Sequence, residues 1–261
     1  DEVPAGTDPF APENKIIFAV GPLTASGVPL AGRTTIGTLS PITEGHLVID
    51  AHCGGMIGAR IKLAGYDAVV IEGKSETPCY INVVDDAVEI KDASDVWGMG
   101  VRATTEALTR RESTRACVAT IGPAGENLLP YSTIMNSRNH SAGAGCGAVM
   151  GSKNCKALVV EGNGSVQVAD PQAVAELSDY MLKELIGSNN NHVVPSTQQE
   201  WAEYYDESSR WTARKGLFWG AAEGGPVETG EPKPGELNTI GYRCMKATKD
   251  LGAEAEPYTV K

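Results

Sequence analysis

The sequence has no run of about 18 apolar residues, which is roughly the least that a membrane-spanning helix needs. Positive charge is also scarce, because 22 Lys and Arg face 33 Asp and Glu and the net charge is -11. A chain this acidic is not expected to bind nucleic acid or an anionic membrane surface. Hydrophobic residues still make up 41% of the 261 positions, enough for the core of one large domain or two small ones.

Recognisable catalytic and nucleotide-binding motifs are missing as well. The six cysteines include no C-x-x-C pair, which argues against a zinc site and favours free thiols in a reducing, cytoplasmic setting. There is no P-loop, no G-x-G-x-x-G turn after a predicted strand and no Ser-His-Asp grouping. We therefore predict no catalytic acid or base within this chain.

What the sequence does contain is two stretches almost bare of side chains, at residues 51–58 and 141–154. Glycine reaches backbone angles that other residues avoid, so such stretches let N–H groups approach a polar ligand closely. Lys153, at the exit of the second stretch, suits a phosphate. A tight turn or close backbone packing is the alternative, and the second stretch is too poor in side chains to be expected in a core.

The two stretches belong to a pattern that occurs twice. Predicted strands at 16–20 and 117–121 both end at Gly-Pro, and predicted strands at 68–71 and 157–160 both end at Glu-Gly. The offsets between the copies are 101 residues (Gly21 to Gly122), 93 (Cys53 to Cys146) and 89 (Glu72 to Glu161). This predicts two diverged repeats, at about 15–95 and 115–165, around an approximate two-fold axis, with a ligand of two similar halves between them.

The remaining elements are less regular. A strand is predicted at 47–49, a hairpin at 80–90 and a helix at 99–112, whereas residues 23–45 are predicted to form a loop. Glu126 is expected to tie down a loop. Asp170-Pro171 is typical of a helix start, with Asp as the cap and Pro at the first helical position. We predict a cofactor-binding domain at 1–165 and the start of an incomplete helical domain at 166–261.

A few polar side chains flank the bare stretches. Arg33 is a lone cation among small residues, and it suits a phosphate or a polar ring as well as solvent. His52 fits a metal ligand, an acid or base, or a turn residue whose carbonyl matters, and we favour the last. Asn139-His140 stand in the same relation to the second stretch. Cys53 and Cys146 fit a nucleophile or a ligand, although a buried small hydrophobe is the commoner fate of a free cysteine.

Four long motifs resemble the aldehyde:ferredoxin oxidoreductase family, in the order in which that family carries them. They are Pro12-Glu-Asn-Lys-Ile-Ile-Phe-Ala-Val-Gly-Pro-Leu-Thr24, Ala64-Gly-Tyr-Asp-Ala-Val-Val-Ile-Glu-Gly-Lys74, Ile121-Gly-Pro-Ala-Gly-Glu-Asn-Leu128 and Gly147-Ala-Val-Met-Gly-Ser-Lys-Asn154. The resemblance covers roughly residues 9–170, and residues 189–197 and 211–225 look like the YdhV-type branch. It implies an α+β fold in which two duplicated β-rich half-units with short crossover helices precede an α-helical domain.

The resemblance also implies a cofactor and a reaction. The family holds a tungsten or molybdenum ion on two pyranopterins, with Mg²⁺ bridging their phosphates and a [4Fe–4S] cluster nearby. It oxidises aldehydes to carboxylic acids and passes electrons to ferredoxin or a similar carrier. Family members carry a further strand before the start of this chain and their cluster ligands beyond its end, so the chain is expected to be a piece of a longer enzyme.

Carried over by position, the resemblance implies a set of cofactor-binding residues. Arg33 matches a pterin-contacting arginine, and His52 stands where the family has an Asn whose carbonyl reaches the magnesium. The second carbonyl falls at His140 or Ser141. The family's A-G-R-G-G turn reads Ala-Gly-Ala-Gly-Cys at 142–146, so an arginine is missing and Arg138 or Lys153 would have to replace its charge. The full predicted set is Arg33, His52, Cys53, Gly54, Gly55, Asn139, His140, Ser141, Ala142 and Gly143, with His52 and Ser141 as the magnesium ligands.

Two other functions remain open at this point. One is reductive chemistry on an aryl-CoA thioester, as in the family's benzoyl-CoA reductase branch, and the other is a cofactor-binding fragment without turnover. The expected partners are an aldehyde or other carbonyl substrate, a ferredoxin-like carrier and a second copy of the chain, without nucleic acid or a membrane span.

Overall fold

A computed structural model describes residues 3–136 and 140–181. The first of its two sheets has four antiparallel strands, β1 (Ile16–Val20), β2 (Thr34–Leu39), β3 (Val48–Cys53) and β4 (Ala68–Ile71). Their order across the sheet is β3-β2-β1-β4, so β3 and β4 lie at its edges.

The second sheet has six strands. They are β5 (Cys79–Val84), β6 (Ala87–Asp92), β7 (Cys117–Thr120), β8 (Ile134–Asn136), β9 (His140–Ala142) and β10 (Cys155–Glu161). The order is β6-β5-β10-β7-β8-β9, and only the β5–β10 pair is parallel.

The described ranges also contain five helices, of which the last follows the final strand. They are α1 (Ile57–Leu63), α2 (Val101–Arg111), α3 (Pro123–Glu126), α4 (Cys146–Ser152) and α5 (Pro171–Tyr180). The predicted start of α5 is confirmed, because the Asp170 carboxylate accepts a hydrogen bond of 3.0 Å from the backbone N–H of Ala173. No helix in these ranges is long and apolar enough to cross a membrane.

The predicted duplication is confirmed by strand order. The order β10-β7-β8-β9 in the second sheet repeats β4-β1-β2-β3 in the first, and a short helix, α1 or α4, precedes the last strand of each copy. The register gives the equivalent positions: Thr35 pairs with His52 as Met135 pairs with Ser141. His52 and Ser141 are therefore counterparts, which decides between His140 and Ser141 as the equivalent of His52.

One predicted match is wrong. From the third strand of each copy onwards the offset is a constant 89 residues, since His52 matches Ser141 and the helices begin at Ile57 and Cys146. The counterpart of Cys53 is thus Ala142, and Cys53 does not correspond to Cys146. The two cysteines lie near the two glycine turns by coincidence, and matching them shifts the alignment by four residues, an error that the strand register corrects.

The hairpin formed by β5 and β6 belongs to a different sheet from its neighbours in sequence. It follows the first copy in the chain, yet β5 pairs in parallel with β10 of the second copy. A hairpin leaves one edge of each strand open, and sequence pattern does not say which sheet will satisfy that edge. The hairpin therefore extends the second sheet.

Three local predictions also need correction. The Thr-rich segment at 34–39 is a strand, β2, and β3 continues to Cys53 instead of ending at Ile49. Glu112, at the end of the helix predicted at 99–112, has only 11% of its side chain accessible and accepts a hydrogen bond of 2.8 Å from Lys91 Nζ. The glycine-rich stretch after Gly145 is helical.

The main core lies between the two copies. It combines residues of both, including Ile16, Phe18 and Ile57 from the first and Leu158, Val149 and Met150 from the second. All seven residues of α4 are buried, so the prediction that the second bare stretch would stay out of the core is wrong. Small residues let this helix sit where a helix with larger side chains would not fit. A second cluster packs under α2 around Leu108 and Tyr80.

The described residues leave part of the prediction unexamined. Asn139 and Arg138, the motifs at 189–197 and 211–225, and most of the predicted helical domain lie outside them. The boundary near 165 stays a prediction.

Candidate functional site

The two copies meet at the edge strands β3 and β9, which contact each other. A Cβ added to Gly54, just after β3, would lie 2.8 Å from Nδ1 of His140, the first residue of β9. A larger residue at position 54 would require the His140 side chain to move. The structure thus brings the first predicted turn against the strand that leads into the second.

A buried asparagine that the sequence analysis missed fastens this junction. Asn136, with no exposed surface, donates a hydrogen bond from Nδ2 to the carbonyl oxygen of Gly54. Its Oδ1 accepts from the Cys117 thiol at 3.2 Å. The signal in the sequence was a single polar residue at the end of an apolar Ile-Met pair, which does not reveal that its partner is 82 residues away.

The glycines of the second stretch divide into two groups. A Cβ on Gly145 would lie 2.4 Å from the Pro130 carbonyl oxygen, one on Gly147 would lie 2.6 Å from that of Thr133, and one on Gly151 would lie 1.9 Å from that of Gly125. These three glycines serve close backbone packing, the alternative explanation of the stretch. A Cβ on Gly143 would meet no atom within 4 Å. Gly143 is therefore the glycine of this stretch whose backbone faces open space.

Ala144 occupies the place of the family's missing arginine and has a left-handed backbone conformation, with φ of 55°. Its counterpart in the first turn is Gly55, with φ of 82°. An L-residue pays roughly 1–2 kcal/mol there. The conformation is held in part by Ser40, whose hydroxyl donates a hydrogen bond of 2.8 Å to the Ala144 carbonyl oxygen.

Lys153 does not face the site. Its side chain is 2% exposed, and its ammonium group donates to the carbonyl oxygens of Pro12 (3.1 Å), Gly73 (3.0 Å) and Asn14. Burial lowers the pKa of Lys153. The expectation that it meets a phosphate is wrong, because all three of its protons are used to tie the second copy to the first.

Arg33 is exposed at the start of β2, one residue before the buried Thr34. Its positive charge acts on the thiol of Cys53 in the first turn and tends to lower the pKa of that thiol. The larger effect is burial, which raises the pKa of Cys53 overall. An exposed guanidinium beside a glycine turn is free to meet an anion.

His52 and Ser141 both point away from the core. The His52 side chain is 50% exposed. Its Nδ1 lies 3.1 Å from Thr35 Oγ1, and its Nε2 lies 3.4 Å from Asp50 Oδ2. Ser141 is exposed at the equivalent position of β9. Within the described ranges no group of three or more His, Cys, Asp or Glu side chains is placed to hold a metal ion.

The two candidate thiols are packed rather than reactive. Cys53 is 1% exposed and Cys146 is fully buried in α4. Burial raises the pKa of Cys146 to about 12, which leaves its thiol protonated at neutral pH. Neither fits a nucleophile, and the side chains of Cys53 and Ala142 are both buried.

Glu126 ties down a loop, as predicted. Both of its carboxylate oxygens accept from the backbone N–H of Gly98, at 3.0 and 2.9 Å. It also pairs with Lys156, whose side chain has no exposed surface and whose ammonium donates to the Met99 carbonyl oxygen at 2.8 Å. This buried pair belongs to the scaffold of the second sheet and not to the site.

Comparison with known proteins gives the site its context. Residues 1–162 match the family described as the aldehyde ferredoxin oxidoreductase N-terminal domain. The tungsten-containing aldehyde ferredoxin oxidoreductase of Pyrococcus furiosus is 50% identical over 174 residues, which are 66% of this chain and 28% of that protein. That of Thermococcus kodakarensis is 49% identical over 174 residues, with the same coverage of 66% and 28%.

A solved structure has the same fold. The active-site complex BamBC of benzoyl coenzyme A reductase, with bound 1,5-dienoyl-CoA, superposes with a TM-score of 0.70 at 38% identity. The match covers 75% of this chain and 30% of that one. The chain thus spans less than a third of the length of these relatives. The sequence match over residues 1–162 and the shared fold establish that this chain belongs to the aldehyde ferredoxin oxidoreductase family and contains its N-terminal domain.

Proposed function

We propose that this chain is the pterin-cofactor-binding part of a tungsten- or molybdenum-dependent oxidoreductase. The observation that carries the proposal is the contact between the equivalent edge strands β3 and β9, where Gly54 of the first turn lies against His140, in the strand that leads into the second turn. A ligand built of two similar halves matches a site built of two similar turns. The division into a binding domain at 1–165 and a helical domain from 166 is part of the same proposal.

The residues present fit such a group. Gly143 offers backbone with open space beside it, and Arg33 offers an exposed cation for a phosphate or a pterin ring. The equivalence of His52 and Ser141 supports their backbone carbonyls as the pair that would reach a bridging Mg²⁺, a cation that prefers oxygen ligands. The remaining proposed contacts come from the backbone of Cys53, Gly54, Gly55, Asn139, His140 and Ala142.

The proposed task of these residues is binding and orientation. When bound, a tungsten or molybdenum bis-pyranopterin supplies two-electron redox chemistry at its metal ion. In this chain Arg33 would neutralise phosphate charge, while the junction held by Asn136 would keep the two turns at a fixed separation. We assign no proton transfer to this chain, since its described site residues include no side chain with the environment of a catalytic acid or base.

For the whole protein we propose oxidation of an aldehyde to a carboxylic acid, with electrons leaving through a [4Fe–4S] cluster to ferredoxin or a similar carrier. The names of the relatives support the aldehyde and the ferredoxin, and the cluster ligands would lie outside this chain. A homodimer, a cytoplasmic location and membership of the YdhV-type branch are further parts of the proposal.

A second candidate reaction is reduction of an aryl-CoA thioester. It is favoured by the fold shared with the benzoyl coenzyme A reductase complex. Because the fold is shared, the described residues are compatible with either reaction. The third candidate is a cofactor-binding fragment without turnover.

The experiment is analysis of the protein purified without oxygen from its native gene. Tungsten, molybdenum and pterin are quantified per chain, and dye reduction is measured with aldehydes while dienoyl-CoA formation is measured with aryl-CoA thioesters. Aldehyde-dependent dye reduction supports the first proposal, product from the thioester supports the second, and bound metal and pterin without turnover support the third. A protein without pterin overturns all three.

Arg33→Ala tests the cradle itself, with Arg102→Ala as the matched control. The Arg102 side chain is 83% exposed on α2 and pairs with Glu106 in the same helix. We expect Arg33→Ala to lose pterin and metal while Arg102→Ala keeps both. Equal pterin content in the two variants would contradict the role of Arg33.

A further inference from the structure

We propose that Cys79 and Cys155 form a reactive thiol pair, which a low-molecular-weight disulfide such as oxidised glutathione converts into a disulfide between β5 and β10. This inference is independent of the proposed function. It rests on the register, the burial and the surroundings of the two residues.

The first observation is their position. Cys79 begins β5 and Cys155 begins β10, and these two strands pair in parallel with Cys79 and Cys155 as direct partners. Register partners on neighbouring strands have side chains on the same face, with a spacing of about 5 Å, which lies within the range that a disulfide spans. Both residues pack in the same core cluster, whereas their neighbours Tyr80 and Ala157 pack in the other one.

The backbone around the pair is also fixed. The N–H of Cys79 donates to the carbonyl oxygen of Asn154 at 2.9 Å, and the N–H of Ser75 donates to that of Lys153 at 3.1 Å. The register shifts immediately after Cys155, between Cys155 and Ala157. The two cysteines therefore form the first pair of the β5–β10 ladder, which an irregularity in register separates from the pairs that follow.

The two thiols differ in access. Cys79 is 8% exposed and Cys155 is 2% exposed. Cys79 follows a loop at 72–78 whose residues are exposed or half-buried, so Cys79 is the thiol nearer to solvent. All five cysteines of the described ranges are free thiols.

The two thiols also differ in reactivity. The interaction with the neighbouring Cys155 side chain lowers the pKa of Cys79, and Ser75 acts in the same direction. The same contact, with burial, raises the pKa of Cys155. Cys79 is thus the nucleophile and Cys155 the resolving thiol, because the thiolate is the reactive form.

The reaction balances as two exchanges. The Cys79 thiolate attacks one sulfur of oxidised glutathione, forms a mixed disulfide and releases one glutathione thiolate. Cys155 then attacks the Cys79 sulfur, its proton goes to solvent, and a second glutathione thiolate leaves. The pair loses two electrons in total, and one oxidised glutathione is reduced to two molecules of glutathione.

The Cys79–Cys155 disulfide would link the β5–β6 hairpin to β10 of the second copy. It would lie close to the contacts of Lys153, which hold the two copies together. The N–H of Ser75 already bonds the Lys153 carbonyl oxygen, and Lys153 Nζ reaches Gly73 at 3.0 Å. Oxidation would therefore rigidify the junction between the first copy and the sheet that carries β9. We expect the oxidised protein to melt at a higher temperature than the reduced protein.

The test is thiol mapping on the full 261-residue chain. The reduced protein is incubated with oxidised glutathione, trapped with N-ethylmaleimide in denaturant and digested for mass spectrometry. We expect two of the six cysteines to escape trapping, a cross-linked Cys79–Cys155 peptide, no retained glutathione and full reversal by dithiothreitol. Glutathione retained on wild-type Cys79, or a cross-link from Cys79 to another cysteine, would overturn the pairing.

Variants test the order of events. Cys155→Ser should retain one glutathione on Cys79, and Cys79→Ser should leave Cys155 unmodified because that thiol is buried. Cys146→Ala is the matched control, since Cys146 is also a buried thiol but lies in α4 and not on β5 or β10, and this variant should form the cross-link as the wild type does. Wild-type mapping carries the result if a variant fails to fold, and an unmodified wild type would refute the proposal.

Discussion

Gly143 and Gly151 stand in the same bare stretch, yet the structure gives them opposite surroundings. A Cβ on Gly151 would lie 1.9 Å from the carbonyl oxygen of Gly125, whereas one on Gly143 would meet nothing within 4 Å. Gly143 also lacks the positive φ that would disfavour alanine. We therefore expect Gly151→Ala to destabilise the fold, and Gly143→Ala to leave the fold intact while obstructing the ligand.

The magnitudes follow from these distances. An ordinary contact of this kind begins at 3.4 Å, so α4 and Gly125 would have to separate by about 1.5 Å to admit the new methyl group. Overpacking costs about 1–3 kcal/mol, and because the contacted atom is backbone we expect the upper end, about 3 kcal/mol. For a chain of this size that lowers Tm by about 6–12 °C. Gly143→Ala should stabilise by about 0.4–1 kcal/mol, because alanine restricts the unfolded chain.

Cofactor content gives the complementary result. If a clash of about 1–3 kcal/mol arises between the methyl group introduced at position 143 and a bound pterin, affinity falls by about 5–150-fold. Urea unfolding of the two variants without cofactor measures the first effect, and pterin quantification per folded chain measures the second. The reasoning is refuted if Gly151→Ala unfolds at the wild-type urea concentration, or if Gly143→Ala is folded and keeps its full pterin content.

Three further outcomes are expected. Lys153→Met should lower the free energy of unfolding by about 1–3 kcal/mol in urea titration, because the buried bond to the Asn14 carbonyl oxygen and the half-buried bonds to those of Pro12 and Gly73 are lost. A loss below about 1 kcal/mol would contradict that arrangement. Asn136→Ala should lower the free energy of unfolding by about 1–3 kcal/mol, since the Gly54 carbonyl loses its partner. The same variant should also bind less pterin. Unchanged pterin content in a folded variant would contradict the role of Asn136 in fixing the turns. The rate of Cys79 alkylation should rise about tenfold from pH 6 to pH 8, because the pKa of this thiol is lowered to about 7 and half of it is ionised at that pH. An ordinary cysteine would show a rise of about 75-fold over the same range. The steeper rise in a stopped-flow assay would rule out the lowered pKa.

Several features of this molecule could be predicted from residues close together in the chain. The strands at 16–20 and 68–71, the helix start at Asp170 and the repeated Gly-Pro and Glu-Gly endings are local patterns, and the structure confirms them. Repetition of those patterns was enough to infer a duplicated fold, because the order of elements survives even when individual residues diverge. The predicted site residues follow from the same repetition and from the resemblance.

Other features depend on residues far apart in the chain. The local sequence predicts Lys153 to be a phosphate ligand, but its ammonium group donates to the carbonyl oxygen of Pro12, 141 residues away. The register of β8 and β9 makes Ser141 the counterpart of His52, and the open edge of β10 receives the hairpin. A run of small residues has the same composition whether it lines a ligand site or packs as a buried helix. Burial of α4 and the close contact at Gly151 settle that choice, because steric fit is a property of surfaces that meet only after the chain has folded.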